Sequence, residues 1–163
     1  MNQEITIAGT LIDKGDNDKA YYFFFDADTV ANRGIVYQLP SNISDIDTYI
    51  AEKFGKQPLY KIVMLSDFFV RLVDEVGGIT VNGKDINGQQ AAQMIREGKY
   101  MPVVQGAFAK TKGMNLIFTL PSLLSKLSDT YRTNLSVMDA FRTIMAERKD
   151  FDKWKVNYVE IPE

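Results

Sequence analysis

Cysteine and histidine are both absent from the 163 residues. The first absence excludes disulfides, thiolate zinc sites and cysteine nucleophiles. The second removes the commonest general base and the commonest metal ligand. Any catalysis must therefore use carboxylates, Lys, Arg, Tyr, Ser or Thr, or a hard cation held by carboxylates. No apolar run approaches the ~20 residues needed to cross a bilayer. Met1-Asn2-Gln3-Glu4 leads into a strand pattern rather than a basic and then apolar leader. The formal net charge of −2 gives no reason to expect nucleic acid or an anionic membrane surface as a partner. A cysteine-free chain fits either compartment, and a secreted domain separated from its anchor reads the same as a cytosolic one. What the sequence has is core: 45% hydrophobic residues, enough for one domain over residues 1–163 and short for two.

The chain is ordered around residues 65–96, LSDFFVRLVDEVGGITVNGKDINGQQAAQMIR. Ser66 or Asp67 can cap a helix start, and Phe68, Phe69, Leu72, Val73 and Val76 then recur at helical spacing. Gly77 is a stop, because a residue without a Cβ takes positive φ cheaply. Ile79-Thr80-Val81 is a short β-branched strand, closed by the turn pair Asn82-Gly83. Asn87 opens a second helix, with Gln90 three residues on to complete a capping box. Asp74 and Glu75 are expected in solvent, with Arg71 within reach of Asp74.

Upstream, residues 4–11 (EITIAGTL) read as a strand and 13–18 (DKGDND) as a turn, its charges serving either solubility or a hard cation. Residues 20–26 (AYYFFFD) are aromatic without alternation, which fits a central strand buried on both faces rather than an exposed stacking platform. Residues 34–39 make a third strand, antiparallel to the second across a loop at 28–33, and Pro40 ends it. Ser44 with Asp47 forms a capping box for a helix to Phe54, closed by Gly55, and residues 59–64 form a fourth strand.

Downstream of Arg96, residues 97–105 have loop chemistry, and a helix is expected over 105–118 despite Gly113. Leu120, Leu123, Leu124 and Leu127 form one stripe of a helix that Pro121 can start. Ser136 and Asp139 make another capping box, for a helix with Val137, Phe141, Ile144 and Met145 inward. Residues 153–161 (KWKVNYVEI) alternate as an amphipathic edge strand. Early strands, central helices and a returning strand point to an α/β sandwich with a mixed sheet.

Taken in order, these segments resemble the LytR-CpsA-Psr (LCP) family of extracytoplasmic cell-wall proteins. Residues 67–81 (DFFVRLVDEVGGITV) are similar to the family's helix, Gly-Gly and strand, and 86–92 (INGQQAA) to its LNGEQAL helix start. Residues 120–124 followed by 133–136 (TNLS) resemble its late helix and turn, and 7–11 and 34–40 fit its first strands. The strings are common, and their order and spacing carry the likeness. The resemblance implies an α-β-α sandwich around a central mixed, largely antiparallel sheet. It also implies transfer of a glycopolymer from a polyprenyl pyrophosphate carrier to peptidoglycan. Such chemistry uses arginines on the pyrophosphate, carboxylates that hold a divalent cation such as Mg2+ or take a proton, and an apolar groove for the tail.

Several implied residues are missing. Where the family has proline, arginine and aspartate after its third strand, the chain reads Pro40-Ser41-Asn42. Arg96 matches the first of two arginines ending the helix after the Asn-Gly turn, and Gly98 stands at the second. Met101 and Val104 fall at further arginine positions when Gln105 is aligned with the family's glutamine. The early aspartates fall among Asp13, Asp16 and Asp18. Each lost arginine forfeits charge-assisted bonds worth about 1.5–3 kcal/mol. Met and Val in their place suit tail contact or core packing.

The expectation is a degenerate member of the family: an extracytoplasmic domain without catalysis, for which separation from an N-terminal anchor stays open. It would bind a polyprenyl-linked glycan or lipid, peptidoglycan or a protein partner, and no nucleic acid. Its expected ligand contacts are Arg96, Lys99, Ser41, Asn42, Met101 and Val104, with Asp13, Asp16 and Asp18 for Mg2+. The alternative is an active phosphotransferase using Arg96, Lys99 and the 13–18 loop, with further cations from Arg132, Lys110 or Lys112. Arg96 also has a plainer role open to it, since an arginine at a helix C-terminus offsets the dipole while facing solvent. The third reading is an unrelated α/β domain, in which the helix at 120–127 should not flank the same sheet as the helix at 68–76.

Overall fold

The computed structural model describes residues 4–13, 19–28, 31, 33–114, 120–133 and 155–162. The turn at 14–18, with Asp16 and Asp18, and the helix expected after Ser136 lie outside these residues. Three strands come first: β1 (Glu4–Asp13), β2 (Lys19–Asp28) and β3 (Arg33–Gln38). Then follow β4 (Tyr60–Leu65), a short pair β5 (Ile79–Val81) and β6 (Lys84–Ile86), β7 (Tyr131–Thr133) and β8 (Lys155–Glu160). Six of them form one sheet in the order β7-β4-β1-β2-β3-β8. β4 is parallel to β1 and β8 is parallel to β3, while the other three pairings are antiparallel. The carboxyl ends of β1, β3, β4 and β8 therefore share one end of the sheet with the start of β2.

β2 is central and buried on both sides, as its unbroken aromatic run predicts. On one face α1 (Ile46–Phe54) covers Ala8, Phe24 and Leu39, with the Phe54 ring 4.9 Å from Phe24 and 4.7 Å from Tyr37. The other face carries α2 (Ser66–Glu75), α3 (Gly88–Arg96), α4 (Tyr100–Met114) and α5 (Leu120–Lys126). Its core includes Leu11, Phe23, Val36, Phe69, Val73, Ile95, Val103 and Leu127, with Leu123 packed against it. The leucine-striped helix thus flanks the same sheet face as α2. β8 is the edge strand that its alternation predicts.

Four local expectations need correction. The Ser44–Asp47 box does not form: Asp45 is the N-cap residue and accepts the Thr48 hydroxyl at 2.6 Å, while Asp47 pairs with Lys61. That hydroxyl holds the Asp45 carboxyl below the usual carboxylate range. α2 starts directly from β4, so Leu65 takes the N-cap position without a side-chain bond and Ser66 is buried. α4 begins at Tyr100 inside the expected loop, because Pro102 falls in a first turn where no intrahelical N–H bond is lost. Asp74 and Glu75 are exposed as expected, but Asp74 does not pair with Arg71. Its carboxylate accepts the Gly88 N–H at 2.9 Å, placing negative charge at the positive end of α3. Arg71 instead donates to Asp129 and to the Lys126 carbonyl, both at 2.8 Å.

The central stretch otherwise follows its signals. α2 ends with Gly77 at φ 79°, and the Gly78 N–H reaches back to the Val73 carbonyl at 2.8 Å. Asn82 (φ 52°) and Gly83 (φ 77°) make the two-residue turn between β5 and β6, and Thr80 donates across the pair to Asp85 at 2.8 Å. The capping box is complete: the Gln90 N–H meets Asn87 Oδ1 at 2.9 Å and the Asn87 N–H meets Gln90 Oε1 at 2.8 Å. Asn87→Ala should lower stability by about 1 kcal/mol in urea unfolding. No measurable loss would mean that Asp74 alone suffices at this helix start.

Candidate ligand site at the carboxyl end of the sheet

Open α/β sheets bind ligands outside the carboxyl ends of their strands, and here that end has a definite composition. Side chains alternate along a strand, so Leu11 and Asp13 share a face. Their register partners in β2 are Tyr21 and Lys19. Leu11 and Tyr21 belong to the larger core, which puts all four on the side covered by α2, α3 and α4. Asp13 is only 2% exposed. The Lys19 ammonium lies 5.3 Å from the centre of the Tyr21 ring, within cation–π range.

α4 enters at this end. Tyr100, its first residue, donates its hydroxyl to the Tyr22 carbonyl at 2.9 Å, and its ring centre lies 5.0 Å from that of Tyr21. Burial, then Tyr21 and Glu160, push the Tyr100 phenol well above its ordinary value, so it remains a donor. The Tyr21 hydroxyl, in contrast, is buried and has no hydrogen-bond partner among the described residues.

Gly98 stands beside it: a Cβ built there would lie 3.9 Å from the Tyr21 oxygen. Gly98 also ends α3. Its φ is 81°, its N–H meets the Ile95 carbonyl at 2.9 Å, and the Lys99 N–H meets the Met94 carbonyl at 2.8 Å. This is a left-handed helix stop, a conformation in which any side chain is strained. The position aligned with the second arginine is therefore shaped for glycine.

The other predicted residues are spread over this end and its rim. Ser41 and Asn42 are exposed immediately beyond β3 and the buried Pro40. Met101 is 8% exposed within the larger core, and Val104 packs against it. Arg96 is exposed at the last position of α3, where the dipole role applies. Lys99 is exposed and lies 3.6 Å from Glu97, whose carboxyl Gln93 and then Lys99 hold below its usual range. Of the cations that an active enzyme would recruit, Lys110 lies elsewhere, lining a cleft of about 430 Å3 with Asp74, Thr80, Asp85 and Gln90. Ten residues of helix separate it from Tyr100, roughly 15 Å. Arg132 sits in edge strand β7, the side chain of Lys112 lies outside the described residues, and Arg33 opens β3 at the far end.

Sequence reasoning passed over Lys19, Tyr21 and Tyr100. The two tyrosines sit in stretches read as core and as loop; the β1–β2 register sets Tyr21 on the face of Asp13, and the entry of α4 brings Tyr100 to Tyr21. Of the three aspartates assigned to Mg2+, Asp13 alone is described. Among the described residues no group of three or more acidic side chains could hold a metal ion.

No model of a known protein family matches the sequence, and no curated protein matches it either. Solved structures do. The protein gbs0355 from Streptococcus agalactiae matches 98% of this chain and 77% of its own, with TM-score 0.76 and 14% identity. TagV from B. subtilis matches 99% of this chain and 85% of its own, with TM-score 0.69 and 12% identity. TagT bound to LIIa-WTA matches 97% and 78%, with TM-score 0.67 and 15% identity. TagV and TagT are LCP proteins. This chain has the LCP fold. The expected sandwich around a mixed, largely antiparallel sheet is present. Identities of 12–15% carry the LCP fold and nothing finer. No described helix is long and apolar enough to cross a membrane.

Proposed function

We propose that residues 1–163 act as one extracytoplasmic LCP-like domain of cell-envelope biogenesis, which binds a polyprenyl-linked glycan without transferring it. The observation that carries this reading is the composition of the sheet's carboxyl end. A pyrophosphate demands several cations there, and transfer demands that they neutralise charge as the bond breaks. Among the described residues this end holds a buried carboxylate at Asp13, two tyrosine rings in tilted contact and the apolar Met101. Lys19 leans over a ring and Lys99 leans toward Glu97. Arg96, exposed at the end of α3, is the described arginine nearest to Gly98 in sequence.

In this reading Met101 and Val104 border the path of the polyprenyl tail. Ser41 and Asn42 offer neutral hydrogen bonds to the glycan, and Arg96 with Lys99 forms a weak cationic rim. The ligand class is drawn from the resemblance and from TagT, which is bound to LIIa-WTA. Calorimetry with a short-chain polyprenyl pyrophosphate, with and without Mg2+, tests it. Binding should ignore Mg2+ and fall by less than about threefold in Arg96→Ala, as suits an exposed charge worth under ~0.7 kcal/mol. Tight binding that needs Mg2+ and disappears in Arg96→Ala would restore the phosphotransferase reading. No binding would leave a domain that recognises protein or peptidoglycan.

A further inference from the structure

We infer that the cleft beside Lys110 is a second ligand site, and that it takes a basic amino acid, which carries ammonium and carboxylate groups together. The inference is independent of the ligand proposed for the carboxyl end of the sheet. The walls of the cleft come from the end of α2, the β5–β6 pair, the start of α3 and Lys110 of α4. Its volume of about 430 Å3 falls within the roughly 300–1,000 Å3 of small-molecule sites. Gly77, on the same wall, takes φ 79°, and a Cβ there would meet nothing within 4 Å, so this side stays open.

Two carboxylates line the cleft, and each is oriented by one bond. Asp74 Oδ1 accepts the Gly88 N–H at 2.9 Å, and Asp85 Oδ1 accepts the Thr80 hydroxyl at 2.8 Å. An ionised carboxyl has acceptor positions on both oxygens, so each group keeps capacity for a ligand. Holding it in place beforehand lowers the entropy that binding must overcome. Asn87 and Gln90 spend their side-chain oxygens on the capping box, so the charged groups select the ligand.

Lys110 shares the cleft with both carboxylates, yet it forms no ion pair or hydrogen bond with any described residue. Opposite charges held apart around one cleft are complementary to a ligand that carries the same charges in reverse. Its carboxylate meets Lys110, and its ammonium groups meet Asp74 and Asp85. A plain anion would face two carboxylates, and a plain amine would leave Lys110 unanswered. An uncharged sugar would answer none of the three, and no lining residue is aromatic for its ring to stack on. Two carboxylates against one lysine favour a ligand with one more amine than carboxylate, the pattern of lysine itself.

Calorimetry with L-lysine, L-lysinamide and chitobiose tests this on wild type, Lys110→Met and Asp85→Asn, with thermal melting as the control for folding. It is run at about pH 6, where both amines of lysine and of lysinamide are protonated. Lysinamide lacks only the carboxylate. Wild type should bind lysine about tenfold more tightly than lysinamide, the loss of one charge-assisted contact. Lys110→Met should erase that preference by weakening lysine while lysinamide binds as before or more tightly, which a merely structural lysine would not do. Asp85→Asn keeps an oxygen for Thr80 and should weaken both ligands, and added salt should weaken both in wild type. Equal binding of lysine and lysinamide by wild type, tighter binding of chitobiose, or no binding of lysine would each overturn the inference. So would a preference for lysine that survives in Lys110→Met. Should a variant fail to fold, the three ligands on wild type decide alone.

Discussion

Gly9→Ala should cost the fold about 3 kcal/mol or more. Gly9 and Phe23 are register partners in the β1–β2 pair, and the Phe23 ring lies across the glycine. A Cβ at this position would run into the ring. Phe23 is 8% exposed and packs with Leu11 and Val36, so it has no free rotamer to move into without leaving the core. Overpacking typically costs 1–3 kcal/mol, and losing a buried phenylalanine costs about 3–5 kcal/mol. The gain from replacing a strand glycine returns roughly 0.5–1 kcal/mol. Urea unfolding of Gly9→Ala, Phe23→Ala and the double variant checks the mechanism. The double variant should lose distinctly less than the sum, because with the Phe23 ring gone the added methyl no longer meets it and fills part of the space it leaves. A loss below ~1 kcal/mol for Gly9→Ala would show that the ring is not locked over the glycine.

The second large effect is expected at Gly88, where α3 begins against α2. A Cβ there would lie 2.5 Å from Asp74 Oδ2 and 2.6 Å from the Val70 carbonyl oxygen. The side-chain oxygen could turn aside, at the expense of the bond that Asp74 accepts from the Gly88 N–H. The carbonyl belongs to the backbone of α2 and cannot. The two helices must separate, and a cap worth about 1 kcal/mol is lost with the packing. Gly88→Ala should therefore destabilise by about 2–3 kcal/mol. Asp74→Ala alone should cost about 1 kcal/mol. Adding it to Gly88→Ala should relieve part of the clash, so that the pair loses less than the sum yet stays well below wild type. Full rescue would mean that Val70 is not in the way.

Features that depend on a few neighbouring residues were legible in the sequence. The Asn87–Gln90 box spans four positions and formed as read. The aromatic run Tyr21 to Phe25 has no alternation, and a strand with that pattern has no choice but the centre of a two-sided sheet. Gly77, Asn82 and Gly83 each demanded positive φ and received it. The departures from the arginine pattern were equally plain, because a missing guanidinium needs no geometry to be noticed.

What was not legible depends on contacts between elements. Asp74 caps a helix other than its own, and its position follows only from how α2 packs on α3. Pro102 reads as a break but stands in the first turn of α4, so a helix begins where a loop was expected. Lys84-Asp85-Ile86 is too short and too polar to announce a strand, and it forms one because the turn before it aims it back along β5. The site's tyrosines were hidden for the same reason. Tyr21 looks like core in its own strand, and only pairing with Leu11, the entry of Tyr100 and the glycine at 98 reveal its unanswered hydroxyl.

The measurement that tests the central claim most directly is a single-turnover transfer assay. A short polyprenyl pyrophosphate-linked glycan would be incubated with this chain, a peptidoglycan acceptor and Mg2+, and both acceptor-linked glycan and released polyprenyl phosphate would be counted. The account predicts that the chain binds the lipid-linked glycan and releases no product above the uncatalysed level. Stoichiometric transfer that disappears in Arg96→Ala would contradict it, and would mean that one arginine and a few lysines suffice where the LCP family's residues form a clamp.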